Sequence, residues 1–190
     1  MPRVFALLLF SLVGLMFPAF AAAQTSTSKT GGAVFAETAP IVAPGSKATL
    51  LPDGTAAAPA DAPPQVQAAI FAANKLLDKP YKYGGGHAKV EDSGYDCSGT
   101  VSYALLAAKL LKSPLDSSSF MRWGLKGKGT WITVYTNPGH AFAVIAGLRL
   151  DTSTGGITSR RIARTAERGP RWRVALRKTT GFKKRHPVGL

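Results

Sequence analysis

Two stretches of the chain carry apolar residues at the spacing of a buried helix face. Those at residues 66–77 predict an amphipathic helix that begins at Pro64. It ends near Asp78, because Pro80 disfavours helical geometry in the residue before it. The second set predicts a helix that starts close to Cys97 and comprises Val101, Ala104, Leu105, Ala108 and Leu111.

The second half of the chain changes to strand patterns. Residues 131–136 are β-branched and aromatic, residues 137–139 (NPG) are a turn signal, and residues 140–145 form the next strand candidate. Residues 148–152 and 171–176 predict two further strands. Helices followed by an antiparallel meander predict an α+β domain.

The first residues have the pattern of a secretory signal. Arg3 gives a short basic start, an apolar run extends from Val4 to Phe17, and Pro18 breaks it. Small residues suited to signal peptidase follow at Ala19, Ala21 and Ala23. We therefore predict a cleaved signal peptide over residues 1–23 and an exported protein, with a retained membrane anchor as the competing interpretation.

Residues 24–62 are rich in Ala, Thr, Ser, Gly and Pro and predict a low-complexity linker or arm. Within it, Ala48–Leu51 followed by Pro52–Gly54 is typical of a strand entering a tight turn. Residues 63–190 are long enough for one domain with a core of its own. Because Cys97 is the only cysteine, no internal disulfide is available and burial alone must hold that core.

The lone cysteine lies where the second helix is expected to begin. At a helix N-terminus the unsatisfied amides and the macrodipole favour an anion, which lowers the pKa of a thiol. Cys97 is therefore a candidate nucleophile. A free cysteine is also often a small buried hydrophobe, and that interpretation stays open.

A longer motif surrounds Cys97. In chain order it consists of Pro80, Tyr81, Gly84, Gly85, Gly94, Tyr95, Asp96, Cys97, Ser98, Gly99, Val101, Tyr103, Gly139 and His140. Over residues 63–152 this combination resembles the NlpC-type cell-wall cysteine peptidases. The resemblance implies a papain-like fold and hydrolysis of amide bonds in peptidoglycan stem peptides, typically next to D-glutamate. It also implies Cys97 as the nucleophile and His140 as the base.

The chemistry of these residue types agrees with those roles. Amide hydrolysis by a thiol needs a thiolate, a proton carrier for the leaving amine and donors for the oxyanion. By analogy with the family, Tyr81 lies beside the nucleophile, and Asp96 and Ser98 shape the substrate pocket. Each also has a structural alternative, with Tyr81 as a core aromatic, Asp96 as a helix cap and Ser98 as a first-turn residue.

The residue that orients His140 departs from the family pattern. The family generally uses His, Asn or Gln on the following strand, whereas this chain offers Asp151. A two-residue turn at Ala146–Gly147 places Asp151 on the His140 face of the sheet, and a three-residue loop turns it to the other face. We predict the first arrangement and a catalytic role for Asp151, the alternative being a cap of the turn that follows.

No cofactor or metal is predicted. His87 lies close in sequence to Asp92, Asp96 and Cys97, but no ligand pair has standard zinc spacing. The glycines at 84–86 lack the lysine and hydroxyl residue of a phosphate-binding loop.

The formal net charge of +14 is concentrated in the last 70 residues, which contain fifteen basic and two acidic side chains. A polyanion surface is predicted from Arg160, Arg161, Arg164, Arg168, Arg171, Arg173, Arg177, Lys178, Lys183, Lys184 and Arg185, with Trp172 and Phe182 interleaved. Export makes anionic wall polymers or lipid the expected partners and argues against nucleic acid. A solvated basic face is the simpler alternative.

Two function classes remain open on the sequence alone, and within the first an acyltransferase or amidase that uses the same thioester intermediate is not separated from a peptidase. One is a secreted cysteine peptidase that acts on peptidoglycan peptides. The other is a noncatalytic envelope-binding module of the same fold, which holds anionic polymers or membrane through its basic half.

Overall fold

A computed structural model describes residues 40–153, 169–174 and 177–190. The predicted signal peptide at 1–23 and the first part of the low-complexity segment, residues 24–39, lie outside this range. The described chain is α+β, as predicted. Its helices are α1 (Pro64–Asn74), α2 (Cys97–Ala107) and α3 (Ser117–Phe120). Its strands are β1 (Val42–Ala43), β2 (Thr49–Leu50), β3 (Ala56–Pro59), β4 (Leu125–Lys126), β5 (Ile132–Asn137), β6 (His140–Ile145), β7 (Leu148–Asp151), β8 (Arg171–Arg173) and β9 (Lys183–His186).

The larger sheet has six strands in the order β4-β9-β5-β6-β7-β8. The predicted meander accounts for β5 to β8, which pair antiparallel in sequence order. The sequence patterns did not predict β4 or β9. The last strand of the chain, β9, returns to pair with β5 on the side away from β6, so the C-terminal segment becomes an interior strand of the sheet.

Residues 42–59, within the predicted low-complexity segment, form the smaller sheet. Its central strand β3 runs parallel to β1 and antiparallel to β2. Ala56 and Ala58 are fully buried in the main core, because their small side chains allow the strand to approach α1 closely. The side chain of Asn74 fixes this contact, since it bonds both the N–H and the C=O of Ala56 at 2.9 Å.

The core lies between the two long helices and the larger sheet. Pro64 begins α1 at a position where its missing N–H costs nothing. Large apolar residues of this core that are at most 1% exposed include Val66, Ile70, Val101, Leu105, Phe120, Ile132, Ile145 and Leu150. Burying each such side chain contributes about 1.5–3 kcal/mol, so this packing fixes α2 against β6. The N-terminus of α2 is therefore held beside the first residue of β6.

The described helices are short. The two longest, α1 and α2, have 11 residues each. None of the helices in the described part of the chain is both long and apolar enough to cross a membrane.

Candidate active site

The helix that carries Cys97 begins at that residue, as the sequence predicts. Asp96 is the N-cap, with an extended backbone and a side chain that accepts a hydrogen bond from the N–H of Gly99 at 2.7 Å. A Cβ at Gly99 would overlap the carbonyl oxygen of Gly85, so only glycine allows the preceding loop to approach this turn. The cap and the glycine contact together fix the position of the thiol.

His140 is the first residue of β6, and its imidazole lies close enough to the Cys97 thiol for each group to shift the pKa of the other. Burial raises the pKa of Cys97, but the bonds from His140 and from the N–H of Ala141 outweigh it, so the pKa is lowered overall. Burial lowers the pKa of His140, and the bonds to Asp151 and Cys97 raise it to about 9. These opposite shifts favour a thiolate beside an imidazolium.

Asp151 lies on the His140 side of the sheet. Ala146 and Gly147 form the predicted two-residue turn, with positive φ values of 46° and 93°. The pairing of Ala143 with Leu150 places Asp151 opposite Phe142, in the register predicted for that turn. His140 Nε2 lies 2.9 Å from Asp151 Oδ1. Because Nε2 faces the carboxylate, Nδ1 is the ring nitrogen left for the thiol.

The Asp151 carboxylate divides its contacts between its two oxygens. Oδ1 faces His140 and also accepts from the N–H of Ser153 at 2.8 Å, so the capping alternative and the contact with His140 coexist. Oδ2 lies 3.2 Å from Arg177 Nη1 and 3.5 Å from Arg149 Nε. Burial raises the pKa of Asp151, but His140, Ser153 and Arg149 lower it overall, so the carboxylate is ionised.

No family model and no curated protein matches this chain. Among solved structures, the chain is similar to the peptidoglycan hydrolase RipB from Mycobacterium tuberculosis, with 19% sequence identity and a TM-score of 0.45. The similarity covers 64% of this chain and 64% of that chain.

Asp96 and Ser98, which flank Cys97 in the chain, form a polar cluster with His87. Ser98 Oγ donates to Asp96 Oδ1 at 3.1 Å, and His87 Nε2 lies 3.0 Å from the same oxygen and 3.3 Å from Ser98 Oγ. Asp96 Oδ2 accepts from the N–H of Gly84 at 3.0 Å. Asp96 is thus a helix cap that also ties the glycine loop to α2. His87 is close to Asp96 along the chain, but this contact was not predicted from the sequence.

Tyr81 is not a core aromatic. It is 39% exposed, and its backbone forms a parallel bridge with Tyr95, two residues before Cys97. Tyr95 is the buried tyrosine of this pair and packs edge-on against Tyr103. The bridge therefore places the Tyr81 backbone beside the segment that leads into Cys97, and the Tyr81 side chain is accessible.

An aromatic wall that was not predicted from the sequence lies beside His140. The Phe182 ring packs edge-on against His140 at a centroid distance of 6.3 Å and against Phe142 at 5.3 Å. Phe142 in turn stacks on Tyr135 at 4.8 Å. The sequence contained one sign of this wall, because Phe182 is an apolar residue within a run of basic residues. That run was interpreted as a polyanion surface.

Several members of the predicted polyanion surface point inward. Arg171 donates to the carbonyl oxygens of Leu77 and Pro170, and Arg185 donates to that of Met121. Trp172 is 5% exposed, and its Nε1 donates to Asn74 Oδ1 at 2.8 Å. Lys178 and Lys183 are exposed. Arg173, Arg177 and Lys184 are partly buried. Four further predicted members, Arg160, Arg161, Arg164 and Arg168, lie outside the described residues.

No metal centre is found in the part of the chain that the structure describes. Within those ranges, no group of three or more His, Cys, Asp or Glu side chains is arranged to hold a metal ion. The cluster around His87 contains a single carboxylate, that of Asp96, and a hydroxyl.

Proposed function

We propose that this protein is a secreted cysteine peptidase that hydrolyses amide bonds in peptidoglycan stem peptides. The observation that carries the proposal is the alignment of Cys97, His140 and Asp151 at the N-terminus of α2, with the pKa of the thiol lowered and that of the imidazole raised. An amide carbonyl is a poor electrophile, so its hydrolysis by a thiol requires a preformed thiolate and a nearby acid. This arrangement supplies both.

In the first half of the reaction the Cys97 thiolate attacks the amide carbonyl carbon. The oxyanion that forms faces the N–H of Cys97, which has no intrahelical acceptor because it is the first helical residue. The imidazolium of His140 transfers its Nδ1 proton to the departing amine, and the C–N bond breaks. The products are a free amine and a thioester on Cys97.

In the second half, neutral His140 removes a proton from water as the water attacks the thioester. The C–S bond breaks, the product leaves as a carboxylic acid that ionises in water, and the thiolate and imidazolium are restored. Asp151 orients the ring through Nε2 and stabilises its positive charge in both halves. No cofactor is needed for either step.

The substrate assignment is supported by the motif around Cys97. We assign Tyr81, Asp96 and Ser98 to substrate binding, because all three match the positions that the resemblance implies. Asp96 and Ser98 flank Cys97 in the chain, and Tyr81 is bridged to Tyr95 just before it. Tyr81 is accessible, whereas Asp96 and Ser98 are buried in the cluster with His87. We further assign residues 1–23 to the cleaved signal and place the mature protein in the cell envelope.

We predict a bell-shaped pH dependence of kcat/KM for a soluble stem peptide. As the pH rises through about 9, the imidazolium of His140 loses its proton and the leaving amine has no donor. As the pH falls through the lowered pKa of Cys97, the thiolate is protonated and the nucleophile is lost. Because the two groups interact, the two limbs report apparent pKa values of the Cys97–His140 pair. The rate measured in a series of buffers gives the two limbs directly.

Alkylation of Cys97 by iodoacetamide tests the same ion pair without a substrate. We expect rapid alkylation at a pH well below the ordinary thiol pKa of about 8.5. An inert thiol, or one that reacts only as the pH passes that value, would contradict the peptidase proposal. That outcome would favour the noncatalytic envelope-binding module.

We also propose that the exposed basic residues of the C-terminal segment, such as Lys178 and Lys183, hold the enzyme on anionic wall polymers or lipid. Retention on isolated envelopes should fall steeply between low and moderately high salt, because exposed charges are screened beyond a Debye length of about 10 Å at 0.1 M. Over the same range of salt concentration, turnover of a small soluble peptide should change little. A sedimentation assay across a salt series measures the retention.

Paired variants separate this surface from net charge alone. The double variant Lys178→Gln/Lys183→Gln should reduce retention, since both lysines are exposed on the basic C-terminal segment. The control Lys47→Gln/Lys75→Gln removes the same charge from exposed positions elsewhere and should retain envelope binding. Equal loss in the two double variants, or retention that ignores salt, would exclude a localised basic surface.

A further inference from the structure

Arg177 reaches the site from the C-terminal segment and contacts the carboxylate that faces His140. Its Nη1 donates to Asp151 Oδ2 at 3.2 Å and to Ser153 Oγ at 3.0 Å. The guanidinium carbon lies 5.3 Å from the ring centroids of both Phe142 and Phe182. The guanidinium is therefore held by two polar contacts and two aromatic rings.

Other charged groups surround the same pair of side chains. Asp151 is faced by Arg149 on its own strand and by Arg173 on β8. Burial lowers the pKa of both arginines, and the charge of Asp151 opposes that shift. His140 is faced by Cys97 from α2. Arg149 is 1% exposed and lies within the sheet. Arg177, with a side chain 20% exposed, is the cation that closes the outer side of the carboxylate.

We propose that Arg177 is a positioning residue for the His140–Asp151 pair, and this inference rests on the proposed peptidase function. It holds Oδ2 of Asp151, so that Oδ1 stays directed at Nε2 of His140. Phe182 supports this contact, because its ring lies against both the guanidinium and the imidazole. The C-terminal segment thus completes the site.

A guanidinium on Oδ2 also affects the proton chemistry of His140. The carboxylate shares its charge between Arg177 and the imidazolium, and the two cations repel each other. Both effects make the imidazolium a stronger acid than it would be beside Asp151 without Arg177. A stronger acid transfers its proton more readily to the departing amine.

The test is the variant Arg177→Gln, which removes the cation while keeping a polar side chain. NMR titration of the His140 ring, one of three histidines in the chain, should show its apparent midpoint at higher pH than in the wild type. Turnover of a soluble stem peptide should show kcat reduced roughly 10- to 100-fold, with KM changed less than about twofold. A residue that only stabilised the fold would lower Tm and leave the His140 midpoint in place.

Two further variants keep the inference falsifiable. Arg177→Lys retains the charge but cannot lie flat against both rings, so we expect the wild-type midpoint and an intermediate kcat. Lys126→Gln removes an equal charge from an exposed position on β4 and should match the wild type. If Arg177→Gln fails to fold, an unchanged kcat in Arg177→Lys would overturn the inference.

A folded Arg177→Gln protein with the wild-type midpoint and kcat would also overturn it. The titration of His140 does not require turnover. Failure of the peptidase proposal can therefore be distinguished from failure of the proposed role of Arg177. A wild type that hydrolyses no peptide removes the peptidase function, whereas the His140 midpoint still reports whether Arg177 acts on the pair.

Discussion

Replacing Cys97 with alanine should reduce hydrolysis of a soluble stem peptide by at least about 10³-fold, because no other group at the α2 N-terminus can form the thioester. Cys97→Ser should retain little activity, since a hydroxyl is far harder to ionise than a thiol. Both variants should remain folded, because the side chain is only partly buried and the cap and glycine contact do not involve the sulfur. Product release followed by chromatography measures the loss.

The matched variant is His140→Ala, which removes the proton carrier and leaves the thiol. Its loss should be similar to that of Cys97→Ala, and the double variant should be no worse than either single one, because the two groups act as a unit. Circular dichroism checks the fold of each variant. Comparable hydrolysis by the wild type and Cys97→Ala would end the thiol mechanism.

Asp151 gives the second large effect, and its two substitutions should differ. Asp151→Asn keeps an acceptor for His140 and for the N–H of Ser153, so we expect roughly a tenfold loss of kcat and an alkaline limb at lower pH. Asp151→Ala removes both contacts and should cost about 10²-fold or more in kcat. The pH profile of hydrolysis for the two variants gives both quantities.

Stability should separate the same two variants. Asp151→Ala leaves Arg149 and Arg177 without this carboxylate, and breaking a buried ion pair costs about 3–5 kcal/mol in the free energy of unfolding. Asp151→Asn keeps the Oδ1 contacts with His140 and the N–H of Ser153 but turns an amide NH2 toward the arginines, so it should cost less than Asp151→Ala while still destabilising the fold. Urea unfolding measures both values, and activity is compared per folded molecule. Equal activity of folded Asn, Ala and wild-type proteins would remove Asp151 from the mechanism.

The features that could be predicted from the sequence depend on neighbours along the chain. The start of α2 at Cys97 follows from a capping residue and an apolar helix face. The contact between His140 and Asp151 follows from one hairpin, because a two-residue turn fixes the register of both strands. In each case, a few adjacent residues determine the geometry.

The features that were missed depend on distant pairing. The basic run at 183–186 has no strand pattern, and it becomes β9 because its backbone pairs with β5. That return of the chain brings Phe182 and Arg177 to the site, although their local sequence indicates a solvated surface. The alanines of β3 were missed for a related reason, since an alanine-rich strand gains stability only when another element packs closely on it.

The most direct test is mass spectrometric analysis of purified peptidoglycan incubated with the mature protein or with its Cys97→Ala variant. The proposed function predicts new fragments from the wild type, each produced by cleavage of an amide bond within the stem peptides. It predicts no such fragments from the variant. It also predicts a covalent acyl adduct on Cys97 when the reaction is quenched early with acid. Intact stem peptides after incubation with a folded wild type, or identical fragments from both proteins, would contradict it.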